Sequence, residues 1–168
     1  TGAPTGAVAI YASSINQTWA PPMSAQDEII DIMVGLSEYT SDVRITLGGL
    51  YYSGSCLMID EYGSGGADMY KTWHIFGDCS LDVRNDVPQQ IVANFLPSIS
   101  IGAVTYSVTT DSPGLRVTLT NSTNEIIAVG ITDNNGIANL TFSNALTIPQ
   151  ILKLVITGHN RVAYISSV

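Results

Sequence analysis

The sequence contains few charged residues. Only 12% of its 168 residues are charged, whereas an ordinary soluble domain carries about 25%. Just six residues are Lys or Arg, and they lie singly along the chain. Because such a chain has no cluster of cations to neutralise phosphates, its composition argues against nucleic-acid binding. The chain also has no apolar run of 18 or more residues, so the sequence offers no candidate for a membrane-spanning helix.

The acidic residues are unevenly distributed. Eleven of the fourteen acidic residues and three of the six basic ones lie in residues 1–87, whereas residues 88–168 carry equal numbers of the two. The change falls at Pro88, so we predict one domain over residues 1–87 and a second over residues 88–168. The chain opens on Thr1 without the basic and apolar segments of a signal peptide, and we expect this start to be processed or truncated.

Residues 1–87 mix short apolar runs with helical patterns. The run of Val8, Ala9, Ile10 and Tyr11 predicts a buried strand of a parallel sheet. A helix is predicted to follow it, with Ser24 as its N-cap. Its expected core face is an apolar stripe of Ile29, Ile30, Met33 and Leu36. Two more helices are predicted, over residues 49–62 and 67–76, each ending at a glycine.

From Val87 onwards the apolar pattern has a period of two, which is typical of half-buried strands. Seven strands are predicted, over residues 90–95, 103–108, 115–119, 125–131, 137–142, 151–156 and 161–165. Seven short strands separated by turns are what an Ig-like β-sandwich requires. The predicted fold class is therefore α+β, with an α/β segment followed by an Ig-like β-sandwich.

Two motifs carry a family resemblance. They are residues 6–23, which end in Asn16-Gln-Thr-Trp19-Ala-Pro-Pro-Met23, and residues 72–84, which contain Trp73-His-Ile-Phe-Gly-Asp78. With the β-rich segment behind them, they resemble the end of a gingipain-type cysteine protease of peptidase family C25. The resemblance implies an exported protein, a partial caspase-like catalytic domain and an Ig-like domain. It also implies that Trp19 and Met23 help to form the pocket for the residue that precedes the scissile bond.

The same resemblance bears on catalysis. In that family the nucleophilic Cys and its His partner lie upstream of the first motif, so we expect neither in this chain and predict that the chain is not itself an enzyme. His74 and Asp78, four residues apart in a predicted helix, could be drawn as an acid–base pair. We favour a structural role, in which Gly77 caps the helix and Asp78 binds loop amides.

Cys56 and Cys79 are the only cysteines. In an exported protein, which the resemblance implies, a Cys56–Cys79 disulfide is plausible, and two separate buried thiols are the alternative. No cofactor is expected, although Asp60, Glu61 and Asp68 could gather around a Ca²⁺ ion.

One glycosylation site is also predicted. Of the sequence's Asn-X-Ser/Thr motifs, the one at Asn121 falls in a predicted loop and is the most reasonable acceptor.

Three functions fit these observations. The first is an extracellular structural subunit that associates with identical chains into a filament or tube, through the strand at Val8. The second is one chain of a nicked protease whose Cys and His lie on an upstream fragment of the same precursor. The third is an adhesive module with exposed tyrosines, namely Tyr51, Tyr52 and Tyr106.

Overall fold

The structure is a computed structural model that describes residues 7–41 and 44–168. The chain mixes helices and sheets, and it divides into two compact units between Asn85 and Asp86. The residues up to Asn85 are called unit 1 here, and those from Asp86 onwards unit 2. In the described residues, no helix is both long enough and apolar enough to cross a membrane.

Unit 1 contains three helices and a two-stranded sheet. In chain order the elements are β1 (Ile10–Ser13), α1 (Ala20–Val34), α2 (Leu47–Tyr62), α3 (Ser64–Tyr70) and β2 (Trp73–Phe76). Strands β1 and β2 are antiparallel, with Tyr11 opposite Ile75 and Ser13 opposite Trp73. Over residues 7–41 and 44–168 these strands pair only with each other, which leaves one unpaired edge on each.

The prediction of a buried parallel strand at Val8 is wrong. The strand begins at Ile10 and is antiparallel to its partner, and Val8 and Ile10 are 81% and 53% exposed. The reason is that only one face of β1 is covered. Tyr11 packs against Tyr51 and Trp73, whereas the face of Ile10 is open, and an apolar run by itself does not show whether one face or both are buried.

Helix α1 begins five residues earlier than predicted. Its N-cap is Trp19 rather than Ser24, and a proline lies in the first turn, where a missing N–H costs no helical hydrogen bond. Ser24 lies inside the helix, where its hydroxyl donates to the Glu61 carboxylate.

The buried face of α1 also differs from the predicted stripe. The buried residues are Pro22, Ala25, Glu28 and Ile32, whereas Ile30 and Leu36 are 55% and 69% exposed. This face packs on α2 at very short range, because a Cβ added to Gly54 would lie only 2.4 Å from the carbonyl oxygen of Ala25. Where Ala25 meets Gly54, the close backbone approach leaves no room for a larger residue at position 54.

The second predicted helix, over residues 49–62, is confirmed as α2, with Thr46 as its N-cap. The third, over residues 67–76, is confirmed for residues 67–70 and wrong for residues 73–76, which form a strand. Helix α3 ends at Tyr70, where the Thr72 hydroxyl donates to the carbonyl of Met69, and the chain continues into β2. Aromatic and β-branched residues favour this strand, and cross-strand pairing with β1 stabilises it.

Unit 2 is built from seven strands, and each overlaps a predicted one. They are β3 (Ala93–Phe95), β4 (Thr105–Thr110), β5 (Arg116–Thr120), β6 (Ile126–Ile131), β7 (Ile137–Thr141), β8 (Lys153–Thr157) and β9 (Tyr164–Ser167). They form two antiparallel sheets, with strand orders β3-β4-β7 and β6-β5-β8-β9. Alternate side chains from both sheets fill one core, including the fully buried Val108, Leu140 and Leu154.

Candidate functional site

A cavity of about 700 Å³ opens in unit 1 beside the end of β1 and the start of α1. Trp19 and Met23 line it and are 83% and 49% exposed. Because the Pro-Pro pair starts the helix immediately after Trp19, Trp19 and Met23 lie one helical turn apart on the same wall. The structure therefore places both sequence-predicted pocket residues in one open cavity.

Three further lining residues were not identified from the sequence. Tyr11 and Trp73 form an aromatic wall, with ring centroids 4.3 Å apart and planes at 87°. Gln17 lies beside them. The alternation of side chains along a strand could have identified Tyr11, because Tyr11 and Ser13 share one face of β1. Trp73 could not be found in this way, because the sequence predicts a helix where it lies in β2.

Hydrogen bonds hold Gln17 in place. Its amide nitrogen donates to the hydroxyls of Ser13 and Thr72, and these donate onward to the carbonyls of Ile15 and Met69. The amide oxygen of Gln17 is buried and has no hydrogen-bond partner among the described residues, and the same is true of Trp73 Nε1. Two lining residues of the described chain therefore each carry a buried polar atom without a partner, an acceptor on Gln17 and a donor on Trp73.

Among the described residues, no charged side chain lines the cavity. The lining consists of Tyr11, Ala12, Ser13, Gln17, Thr18, Trp19, Pro22, Met23, Gln26, Ile29, Ile30 and Trp73. Aromatic rings and a thioether suit a long apolar stem, and ring faces also attract cations. The cavity can thus accept a long side chain along its aromatic rings and thioether.

A tyrosine behind the wall supports it. Tyr51 lies outside the lining, but its hydroxyl donates to the Trp73 carbonyl at 2.7 Å. Its ring meets that of Tyr11 edge-on, with centroids 3.9 Å apart. Burial raises the pKa of both tyrosines above the usual value of about 10, so both hydroxyls remain protonated at neutral pH.

His74 and Asp78 do not form an acid–base pair on a helix. His74 lies in strand β2, where Nε2 is 3.2 Å from the Ser14 hydroxyl. Asp78 accepts from the hydroxyl and the backbone N–H of Ser80, and these bonds lower the pKa of its carboxyl. The predicted role of Asp78 in binding a loop amide is confirmed, whereas Gly77 follows a strand and caps no helix.

The two cysteines are free thiols, so the disulfide considered from the sequence is not formed. Their burial also differs from the alternative reading. Cys56 is partly buried on α2, whereas Cys79 is exposed.

Two of the three acidic residues considered for Ca²⁺ have other partners. Asp68 pairs with Lys71 at 2.8 Å, and Glu61 accepts from Ser24. In residues 7–41 and 44–168, no three His, Cys, Asp or Glu side chains lie close enough together to hold a metal ion. The geometry therefore adds no support to the calcium prediction.

The tyrosines suggested for an adhesive face are not jointly exposed. Tyr52 is 63% exposed, but Tyr106 is only 6% exposed and its hydroxyl donates to the Leu96 carbonyl. Tyr51 is directed towards Trp73. The predicted tyrosine face is therefore wrong, because two of its three members support their own units.

Asn121 lies in the loop between β5 and β6. Its side-chain oxygen accepts from the Thr123 and Glu125 backbone amides, and its nitrogen donates to the Glu125 carboxylate. Glycosylation at Asn121 stays a prediction, and it requires release of the nitrogen from Glu125.

Known proteins resemble the chain over almost its entire length. No family model matches it. Gingipain R2 of Porphyromonas gingivalis is 35% identical to it over 167 residues, which is 99% of this chain and 22% of that protein. Gingipain R1 of the same species is 32% identical over the same length, which is 16% of it. The chain thus spans about a fifth of the curated relatives it matches.

Solved structures agree with this similarity. The crystal structure of the Arg-specific cysteine proteinase gingipain R matches with a TM-score of 0.86 and 34% identity, over 98% of this chain and 37% of that one. A complex of the pro- and mature domains of a Porphyromonas gingivalis gingipain matches with a TM-score of 0.82. The chain is therefore a homologue of the gingipain-type cysteine proteases and corresponds to part of their length.

Proposed function

We propose that this chain is one part of an exported gingipain-type cysteine protease, in which it supplies a wall of the pocket for the substrate side chain. In this proposal the nucleophilic Cys and its His partner lie on another part of the same precursor. Unit 1 then belongs to a caspase-like catalytic domain, and unit 2 is an Ig-like domain behind it. The observation that carries the proposal is the open cavity with Trp19 and Met23 on its rim.

The chemistry of the cavity supports a substrate-binding role. A pocket formed by Tyr11, Trp19 and Trp73 offers flat rings for the stem of a long side chain and π faces for a cation. The solved relative is described as Arg specific. We therefore propose that the pocket receives a basic side chain, whose charge is balanced by groups outside the described lining.

The surface of unit 1 supports association with another part of the precursor. On the open side of the two-stranded sheet, Ile10 and Phe76 face each other across the strands, and they are 53% and 54% exposed. Val8 and Trp19 are exposed to more than 80%. Exposed apolar surface of this kind marks an interface, and each strand has an unpaired edge to which a further strand can add.

The test is reconstitution. The chain would be co-expressed with the preceding segment of its precursor and assayed for thiol-dependent cleavage of an arginyl peptide amide. We expect activity in the complex, and about a tenfold increase in KM when Trp19→Ala removes the indole from the pocket rim. A reconstituted complex without thiol-dependent cleavage would overturn the proposal.

The matched control is Tyr52→Ala. Tyr52 is as exposed as a rim residue, at 63%, but lies on α2 outside the cavity lining. KM should stay unchanged in this variant. An equal increase in both variants would show that loss of an exposed aromatic ring, rather than the pocket, causes the effect.

A second candidate function is self-association into an extracellular filament or tube, favoured by the unpaired edge of β1. The argument for self-association was an apolar strand without a partner, and the structure weakens this argument because β1 pairs with β2. Sedimentation of the chain alone distinguishes the two candidates. A polymer that Val8→Asp dissolves would support self-association, and a monomer would leave the protease proposal.

A further inference from the structure

The wall of the cavity depends on a residue that does not line it. Tyr11 and Trp73 face the cavity from two different strands, and cross-strand pairing fixes only their backbones. Their rings meet edge-on, with centroids 4.3 Å apart, and a side chain outside the sheet that contacts both residues fixes this pair against the helices. Tyr51, on α2, contacts the backbone carbonyl of Trp73 and the ring of Tyr11.

We propose that Tyr51 is a positioning residue of the cavity. Its hydroxyl donates to the Trp73 carbonyl at 2.7 Å, and its ring abuts Tyr11 with centroids 3.9 Å apart. Through these two residues Tyr51 sets the aromatic wall that a bound side chain meets. The inference rests on the proposed function, because it assigns this wall to substrate binding.

The surroundings of Tyr51 fit this role. A second tyrosine, Tyr70 at the end of α3, stacks on its ring with centroids 6.0 Å apart and planes at 29°. The hydroxyl of Tyr11 also lies 3.4 Å from that of Ser55 on α2. Among the described residues, Ser55 thus contacts Tyr11, whereas Tyr51 contacts both Tyr11 and Trp73.

Tyr51→Phe is the sharpest variant, because it keeps the ring and removes only the donor. The first measurement uses the whole chain with Trp19→Phe, in which Trp73 is the sole tryptophan. Loss of one hydrogen bond should increase the equilibrium constant for opening of the aromatic wall up to about fivefold. We expect acrylamide quenching of Trp73 to increase by the same factor. Tyr52→Phe on the same helix is the control and should leave quenching unchanged.

Circular dichroism melts of the same variants separate positioning from folding. If the wall alone loosens, quenching increases while the melting temperature stays within a few degrees. Unchanged quenching in a stably folded Tyr51→Phe variant would overturn the proposal. If Tyr51→Phe loses structure generally, so that quenching follows the melt, Tyr11→Phe decides instead. This variant keeps the ring contact with Tyr51 and should retain a protected Trp73. An increase in quenching equal to that of Tyr51→Phe would overturn the proposal.

The functional arm uses the reconstituted protease and an arginyl peptide amide. Tyr51→Phe should increase KM about fivefold and leave kcat unchanged, which is the pattern expected when substrate and transition state lose the same binding contact. A decrease in kcat with unchanged KM would contradict a positioning role. Absence of peptidase activity would sink the proposed function alone, because the quenching experiment tests Tyr51 without any substrate.

Discussion

The two units differ in how they bury their apolar side chains. The core of unit 2 contains thirteen buried side chains from its two sheets and the adjoining loops, whereas the core cluster in the described part of unit 1 contains three, Ala25, Met58 and Trp73. Unit 1 also carries most of the acidic residues. A domain is stabilised mainly by the apolar area it removes from water, so we infer that unit 2 holds more of its stability within itself.

The exposed apolar residues of unit 1 surround its functional features. Trp19 and Met23 stand at the cavity, and Ile10 and Phe76 lie on the open face of the small sheet. An exposed apolar surface next to a binding cavity is expected to be covered by a partner. The comparison teaches that the less self-sufficient unit is the one that carries the candidate site.

The strongest test of the comparison is Leu154→Ala in unit 2. Leu154 is fully buried and lies opposite Leu119 in the sheet register. Its truncation should lower the free energy of unfolding by about 3 kcal/mol, through lost burial and the cavity that remains. Urea unfolding followed by circular dichroism measures the loss.

Tryptophan fluorescence, which arises only in unit 1, provides a separate signal in the same experiment. The control is Ile165→Ala, at a position that is 62% exposed, where the change should be below about 0.5 kcal/mol. Equal losses in both variants would remove the argument for a dominant core in unit 2.

The next largest effect is expected from Gly54→Ala in unit 1. The added methyl group would lie 2.4 Å from the Ala25 carbonyl oxygen and 2.7 Å from the Ile29 side chain. Backbone cannot move aside cheaply, so α1 and α2 must separate and stability should fall by about 2 kcal/mol. Thermal unfolding followed by tryptophan fluorescence reports on this unit.

Gly65→Ala is the matched control on helix α3. A Cβ there meets nothing within 4 Å, and alanine is the better helix former, so stability should rise by up to about 1 kcal/mol. If both glycine variants behaved alike, backbone propensity rather than close helix packing would explain the result.

A smaller effect is expected from the buried carboxylate of unit 1. Glu28 is only 4% exposed and accepts from the Ser37 hydroxyl at 2.7 Å. Removing this donor in Ser37→Ala should cost about 1.5 kcal/mol, because the carboxylate stays buried with one bond fewer. A double-mutant cycle with Glu28→Gln, measured by urea unfolding, isolates the pair, and strict additivity would argue against it.

The sequence predicts the elements of unit 2 better than those of unit 1, because the two units are stabilised differently. The strands of unit 2 were visible in the sequence because alternation is a local pattern and both sheets face one core. In unit 1, helix α2 was found from its pattern and the glycine at its end. The buried face of α1 was not, because it is set by Gly54 on another helix and by a carboxylate that Ser37 satisfies. Contacts between distant parts of the chain produce no hydrophobic periodicity in the sequence.

The candidate site shows the same division. Trp19 and Met23 were named from a motif, and the structure places them together in one cavity. Tyr11 had been identified only as part of a buried strand, and Trp73 as part of a helix. Their meeting depends on the pairing of β1 with β2, across more than sixty residues of chain. Non-local pairing is what pattern analysis of a single sequence does not provide.

The smallest expected effect is a pH dependence carried by the tyrosines. Burial raises the pKa of Tyr11 and Tyr51 in unit 1 and of Tyr106 in unit 2. The folded state therefore holds these protons more tightly than the unfolded chain, whose tyrosines titrate near pH 10. Their contribution to stability is full below that pH and is lost as the pH rises above it.

At pH 10.5 the loss should be about 0.8 kcal/mol for a tyrosine that is still protonated in the folded state. Unit 1 should be the more sensitive, because Tyr11 and Tyr51 lie ring against ring and ionisation of one opposes ionisation of the other. Tryptophan fluorescence follows unit 1 during urea unfolding at pH 8 and pH 10.5, with Tyr11→Phe as the comparison. The variant should lose less stability than the parent chain between these pH values. A parent chain equally stable at both would mean that Tyr11 is more accessible to water than its packing against Tyr51 and Trp73 implies.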